Sequence, residues 1–309
     1  TTVRGGAHTN LMQGVAVVNT LDEVTYTPST VGVDSVTMTS FGGNYPAIPA
    51  ANFHAGVYVF TGGADPLAVV DIWVDSVTVS NTGKISPDCA GLYFGDFSTG
   101  AGNRLKAVVT ESFVTNNLNR GVQVRGENAT AAVSTSSIEF NGSDPYGTGG
   151  NDGFGIYAGV GAVLTLDSNF ITNPPAQAGM YPVTAMFIGV APAAKITAFN
   201  NSINRNGNGS LTANTYPIAQ FTATCNWWGN GLIDVVDGLV DGNVLFVPYL
   251  NIGTDNNIPA RGFQPLSPCA NPKRWYVNDN ALTNDVFTLG LGDDLNQGTK
   301  RRPFRTIGK

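Results

Sequence analysis

Val74-Asp75-Ser76-Val77-Thr78-Val79, followed at 91–94 by Gly91-Leu92-Tyr93-Phe94, is the stretch whose reading decides the fold. Each half recurs. The first phrase is a short β-rich run with Ser or Asn two or three places before an apolar residue. It returns as Val33-Asp34-Ser35-Val36-Thr37-Met38, Glu111-Ser112-Phe113-Val114, Ser136-Ser137-Ile138, Asp167-Ser168-Asn169-Phe170-Ile171 and Asn200-Asn201-Ser202-Ile203. With the last residue of each as anchor, the steps are 41, 35, 24, 33 and 32, and Asn117, Asn141 and Asn206 each follow an anchor by three. The second phrase is a Gly followed by alternating apolar and aromatic residues: Gly56-Val57-Tyr58-Val59-Phe60, Gly91-Leu92-Tyr93-Phe94, Gly121-Val122-Gln123-Val124 and Gly155-Ile156-Tyr157-Ala158. A weaker copy is Ala185-Met186-Phe187-Ile188.

Two strand phrases alternating in every period, with no helical periodicity between them, describe a winding coil of strands. A sandwich is the competitor, because Asn-Gly and Asp-Gly pairs occur at 141–142, 152–153, 206–207, 208–209, 237–238 and 241–242. A sandwich has no need for the same two phrases in alternating order. The expected fold is therefore all-β, a parallel β-helix with irregular loop insertions. Equivalent residues of successive turns would stack about 4.8 Å apart, with apolar anchors in columns and Asn in hydrogen-bonded ladders. The uneven steps place insertions in the Gly/Pro/Ala-rich stretches 42–52, 142–151 and 174–182, candidate binding loops or plain surface length.

Composition agrees. Charged residues make up only 12%, about half the usual share, while 38 glycines and 31 asparagines suit many tight turns. A hydrophobic fraction of 42% argues against disorder. Net charge is −6, with no basic cluster beyond Lys300, Arg301, Arg302 and Arg305, so nucleic acid is not an expected partner. No apolar run is long enough to span a membrane. Cys89, Cys225 and Cys269 show no metal-ligand spacing. One bridge, with Cys225 and Cys269 as the candidate pair, would suit an exported protein; three free thiols is the alternative. Thr1 to Gly6 read as mid-domain sequence, as in an excerpt of a longer polypeptide.

Ala223-Thr224-Cys225-Asn226-Trp227-Trp228-Gly229 with Val244-Leu245-Phe246-Val247-Pro248-Tyr249-Leu250 resembles the closing segment of right-handed parallel β-helix domains of the pectate-lyase-like superfamily, as found in large bacterial surface proteins. The resemblance implies a structural cap: Asn226, Trp227, Trp228 and Gly229 end the coil, both indoles covering its apolar end and the glycine allowing a sharp departure. A sugar-stacking platform of Trp227 and Trp228 is the alternative. Tyr276-Val277-Asn278-Asp279-Asn280, then Gly298-Thr299-Lys300 and Pro303-Phe304-Arg305-Thr306-Ile307, resemble the opening of another such domain. The expected organisation is a β-helix over 1–252, its N-terminal part incomplete, a linker over 253–274, and the opening strands of a following β-helix domain over 275–309.

No assembled catalytic site is legible, no cofactor is expected, and no metal beyond weak calcium candidates. His8 and His54 lack acidic neighbours and read as structural. Asp34, Asp75, Glu111 and Asp167 would form an acidic column if register holds, more simply a solvated edge than the differently tuned carboxylate pair a glycosidase needs. Asp234, Asp237 and Asp241, and Asp293-Asp294 with Asn296, are the calcium candidates, with Asp-Gly turns as the simpler account of the first group. Lys300-Arg301-Arg302 reads as solvated surface. Tyr58, Tyr93 and Tyr157 would stack on sugars if outward, with inward packing preferred. The functional expectation is a non-catalytic structural or adhesive module of an exported bacterial surface protein, in contact with glycans, neighbouring surface proteins or copies of itself. The alternatives are a β-helix polysaccharide lyase or glycoside hydrolase, and a filament subunit whose residues 275–309 dock on another copy.

Overall fold

In the computed structural model, backbone and side chains are described for residues 55–59, 70–80, 90–96, 105–117, 120–142, 155–172, 194–204 and 221–307 apart from the side chain of Asp241; for the remaining strands the backbone alone is described. Among these residues the chain forms three parallel sheets of seven, eight and eight strands. The first sheet holds three-residue strands: Thr2–Arg4, Thr37–Thr39, Thr78–Ser80, Phe113–Thr115, Ser137–Glu139, Phe170–Thr172 and Ser202–Asn204. The second holds Met12–Asn19, His54–Thr61, Ala90–Asp96, Arg120–Arg125, Phe154–Gly159, Thr184–Ile188, Thr212–Asn214 and Val240–Gly242. The third runs from Ser29–Asp34 through Val70–Asp75, Leu105–Thr110, Ala129–Ser134, Val163–Asp167, Lys195–Phe199 and Gln220–Thr222 to Val244–Leu245. As far as Gln220–Thr222 the chain visits first, second and third sheet in rotation, each circuit adding one strand to each sheet; the last circuit adds strands only to the second and third, with a single bridge from Trp227 at the first-sheet place.

The pairing register follows the sequence repeat. Met38, Val79, Val114, Ile138, Ile171 and Ile203 are successive partners in the first sheet. Val57, Leu92, Val122, Ile156 and Met186 are successive partners in the second. A third column, Ile72, Ala107, Ala131, Leu164, Ile196, Phe221 and Val244, was not singled out in sequence. These side chains, where described, are 2% exposed or less and share one continuous core.

Three strands per circuit, not two, is thus a correction. The first phrase straddles a corner. Val70–Asp75 ends in the third sheet, Thr78–Ser80 begins in the first, and one left-handed residue, Ser76 (φ 53°), turns between them. Glu111, Thr135, Ser168, Asn200 and Cys225 hold the same place at φ 46–58°. One turning residue leaves apolar alternation almost unbroken, so two strands read as one. Each such residue costs about 1–2 kcal/mol of backbone strain, offset by pairing with the next circuit, as when Ser76 N–H donates to Thr110 O (3.1 Å) and Asn200 N–H to Cys225 O (2.9 Å).

The residue after each corner points inward and answers a second problem. Its N–H faces the next circuit, where a side-chain oxygen accepts it. Val77 N–H donates to Ser112 Oγ (3.2 Å), Ser112 to Ser136 Oγ (3.1 Å), Ser136 to Asn169 Oδ1 (3.0 Å), Asn169 to Asn201 Oδ1 (2.9 Å) and Asn201 to Asn226 Oδ1 (2.8 Å). Ser112, Ser136, Asn169, Asn201 and Asn226 are all buried, where an unpaired N–H would cost about 1–3 kcal/mol. A second ladder joins Asn117 to Asn141, Nδ2 to Oδ1 at 2.7 Å. Asn206, expected to extend it, lies outside the described residues, as do Cys89, His8, the side chain of His54, and the insertions 42–52, 143–151 and 174–182.

The one helix among the described residues is Ile233–Asp237, ending at Gly238. It takes up the Asp237-Gly238 pair expected as a turn; five residues are too few for an amphipathic period to show.

Candidate functional site

Two surfaces concentrate groups able to do chemistry: the outer face of the second sheet, and the closing end of the stack. On the sheet, strand alternation sends Val57, Leu92, Val122 and Ile156 into the core and their neighbours outward. Tyr58, Tyr93, Gln123 and Tyr157 form one outward column in consecutive register. Tyr58 and Tyr93 stack at 4.9 Å, and the Arg120 guanidinium lies 4.0 Å over the Tyr157 ring. The preferred inward packing of these tyrosines is therefore corrected. They face out, yet only 6%, 1% and 6% of Tyr58, Tyr93 and Tyr157 is exposed. A Cβ on Gly95 would sit 2.7 Å from the Tyr93 ring, and one on Gly159 2.8 Å from the Tyr157 ring, so glycine is what lets each ring lie flat along its strand.

The acidic column does not form as spaced. Asp34 and Asp75 are partners, but Asp75 is followed by Thr110 and then Ser134 before Asp167. Glu111 sits one place on, at the left-handed corner. Asp75 accepts a hydrogen bond from Thr110 Oγ1, and Asp167 from Ser168 Oγ at 3.0 Å. Glu139, on the first sheet, accepts from Thr172 Oγ1 at 3.4 Å; desolvation holds its carboxyl above the usual range, partly countered by that hydrogen bond.

At the closing end, Asn226 is the last rung of the inward ladder, its Nδ2 donating to Ala198 O (2.8 Å) and Ala223 O (2.7 Å). Trp228 follows Ile203 in register, since Trp227 bridges Ser202. Trp228 is 1% exposed and meets Phe246 edge-on at 6.4 Å. Trp227 points the other way and is half-buried, with Gly253 so close that a Cβ there would lie 2.3 Å from its ring. One indole enters the core, and the other is covered from outside. Gly229 has φ 71°. The chain then makes a further circuit, through the helix, Val240–Gly242 and Val244–Leu245, before Leu250 bridges Trp227.

Cys225 and Cys269 form a disulfide, Cα–Cα 4.9 Å. Residues 253–274, expected as a linker, lie against the first sheet. Phe263 is fully buried, 5.6 Å from Phe170, with its N–H donating to Ser168 O (2.8 Å). Arg261 reaches Glu111 O and lies 4.8 Å over Phe113. Gly262, at φ 73°, leaves no room for a Cβ, which would fall 2.2 Å from Ser168 O.

Residues 275–307 dock on the last circuit. Gln297 Oε1 accepts from Phe246 N–H (2.8 Å) and Val247 N–H (3.0 Å), while Nε2 donates to Val244 O (2.8 Å). Its amide thus stands in for a peptide group of another strand. Asp237, fully buried, pairs with Arg302 at 2.6 Å and accepts from Arg301 N–H at 3.0 Å. Reading 300–302 as solvated surface is therefore corrected for Arg302, while Arg301 remains exposed. The two quoted motifs meet: Val277 bridges Phe304 in parallel, and Gly298 (φ 69°) fits between the rings of Trp275 and Phe304.

Of the acids weighed as calcium ligands, the side chain of Asp241 lies outside the described residues, and the others have other partners. Asp237 faces the arginines, Asp234 accepts from Tyr276 Oη (3.3 Å), and Asp294 Oδ1 accepts from Thr306 N–H (3.0 Å) and Oγ1 (2.9 Å). Asp293 and Asn296 bind the backbone of their own loop. Among the described residues no cluster of three His, Cys, Asp or Glu is placed to hold a metal, and no helix is long and apolar enough to cross a membrane.

A cleft of about 530 Å³ opens between the helix and residues 270–276. Tyr249 lies in its wall with Oη donating to Gly231 O (3.0 Å), and burial, then the Asp234 carboxylate, raises its hydroxyl above the usual range. Compared with protein-family models, curated proteins and solved structures, the chain matches none of them.

Proposed function

We propose that this chain is a non-catalytic module of a large exported bacterial surface protein, built as a right-handed parallel β-helix and acting as a rigid elongated spacer with a contact surface. The observation that carries the reading is the uninterrupted register from circuit to circuit. Three sheets in rotation, apolar columns and buried Ser/Asn ladders together resist bending and shear. Eight stacked strands span about 35 Å at strand spacing. Asp75, Asp167, Asp234 and Asp237 support the non-catalytic part, because their carboxylates are engaged by the chain's own strands, corners and tail.

Adhesion is supported at the closing end. Val286, Phe287, Leu289, Leu295 and Ile307 are 65–92% exposed, a density of uncovered apolar side chains that marks interaction surfaces. Incubating the chain with pectin, alginate and glycosaminoglycans, and following new reducing or unsaturated ends, tests the reading. The expected result is no turnover. Sustained release of products would replace this function with a polysaccharide lyase or hydrolase.

A further inference from the structure

We propose that the cleft between helix Ile233–Asp237 and residues 270–276 binds a carboxylate-bearing saccharide residue. The proposal rests on the contact-module reading and gives that module a ligand class. Volume is the first argument, since about 530 Å³ falls within the usual range for small-ligand sites. The second is the lining. Ile233, Ala270 and Tyr249 offer apolar surface, and Tyr276 an aromatic wall fixed by its hydrogen bond to Asp234. A pyranose ring has apolar C–H faces and a hydroxyl rim, and this combination of aromatic wall and polar edge suits both. Asn251 and Asn271 also line the cleft, and amides both donate to and accept from hydroxyls.

The third argument is charge. Lys273 and Arg274 stand side by side in the lining, both exposed, and outnumber its one carboxylate, Asp234, which Tyr276 already engages, so the cleft keeps one positive charge in excess for an acidic ligand. Residues 253–309 hold eight of the chain's sixteen Lys and Arg against five of its twenty-two acids, a local excess of three positive charges on a chain of net −6. An acidic polymer would be drawn to this end of the molecule and repelled by the rest.

The test is calorimetric titration of the whole chain with trigalacturonate at low salt, beside its methyl ester, in which the carboxylates are neutral. Binding of the acid is expected, at least tenfold weaker for the ester and weaker as salt rises. The pair K273Q/R274Q is expected to lose at least tenfold with an unchanged melting temperature, since both side chains are exposed. N271W, which fills the cleft without changing charge, is expected to block binding. An acid and ester of equal affinity, or no heat from either on a folded chain, overturns the proposal. Binding that survives both K273Q/R274Q and N271W also overturns it, placing the contact elsewhere and leaving the adhesive reading standing. Cleavage of the trisaccharide, by contrast, would defeat the non-catalytic reading itself.

Discussion

At the residue scale, the inward Ser and Asn side chains solve a problem that the corners create. A left-handed residue turns the chain within one position but leaves the next N–H without a carbonyl opposite. Asn201 is the fullest example: Oδ1 accepts from Asn169 N–H and Nδ2 (2.9 Å each), and its own Nδ2 donates to Leu166 O, Phe199 O and Asn226 Oδ1. Truncation by Asn201→Ala strands several buried groups, and a loss of about 3 kcal/mol is expected, read from urea denaturation. A change under about 0.5 kcal/mol would show that the ladder contributes little. Glu139 makes a different prediction. Its carboxyl is raised in the folded state, chiefly by desolvation, so the native state favours the protonated form. The stability this carries is complete below the ordinary carboxylate value near 4.5, and is lost as pH rises through the folded value. Glu139→Gln should therefore melt higher than the parent at pH 7, the gap closing below about pH 4. A gap that widens in acid would reverse the assigned sign. Why Asn is needed at 201 was legible as a recurring residue type; which groups it satisfies was not, because all its partners but Phe199 lie 25–35 residues away.

Elements here are short, and their boundaries depend on single glycines. Gly91 and Gly121 open the second-sheet phrase where the chain lies tightly against the Asn ladder and the strand of the next circuit. A Cβ on Gly121 would lie 2.6 Å from Gly155 O and 2.7 Å from Asn141 Nδ2, so neither the next strand nor the Asn ladder could hold its place. Gly121→Ala should cost about 1–3 kcal/mol. The contrast is Gly238, which closes the helix at φ −75° with its nearest neighbour 3.3 Å away. Gly238→Ala should be neutral or gain a few tenths of a kcal/mol. Equal melting losses for the two variants would refute this account of the glycine column. The Gly-apolar-aromatic phrase revealed the second-sheet strands because it has a constant first residue. The third-sheet strands escaped notice because Ala, Leu, Ile and Phe alternate at their inward places without a shared polar marker.

Over the whole molecule, the stack needs a terminus that does not leave an open strand edge. The chain provides one from its own tail: the Gln297 amide pairs with the last strand, while Arg301 and Arg302 satisfy buried Asp237. Docking in this way occupies the surface that a filament reading would offer to a second copy. Arg302→Ala removes one partner of a largely buried pair, and about 3 kcal/mol of docking energy is expected to go with it. Limited proteolysis should then cut within 275–307 sooner, while amide exchange over 105–142 stays at parental rates. Loss of protection throughout the stack would mean instead that tail and strands fold as one cooperative unit.

By itself the sequence determined the parallel strand architecture and its register, because inward residues that must stack are chemically alike and recur at countable intervals. Anchors such as Val114, Ile138 and Ile171 carry that information locally. Tertiary structure alone decided that each circuit has three sides, that the tyrosine column faces out, that only Trp228 of the two tryptophans enters the core, and that residues 253–307 fold back on the stack. Those outcomes depend on corner dihedrals and on contacts between segments far apart in the chain, and neither leaves a periodic trace.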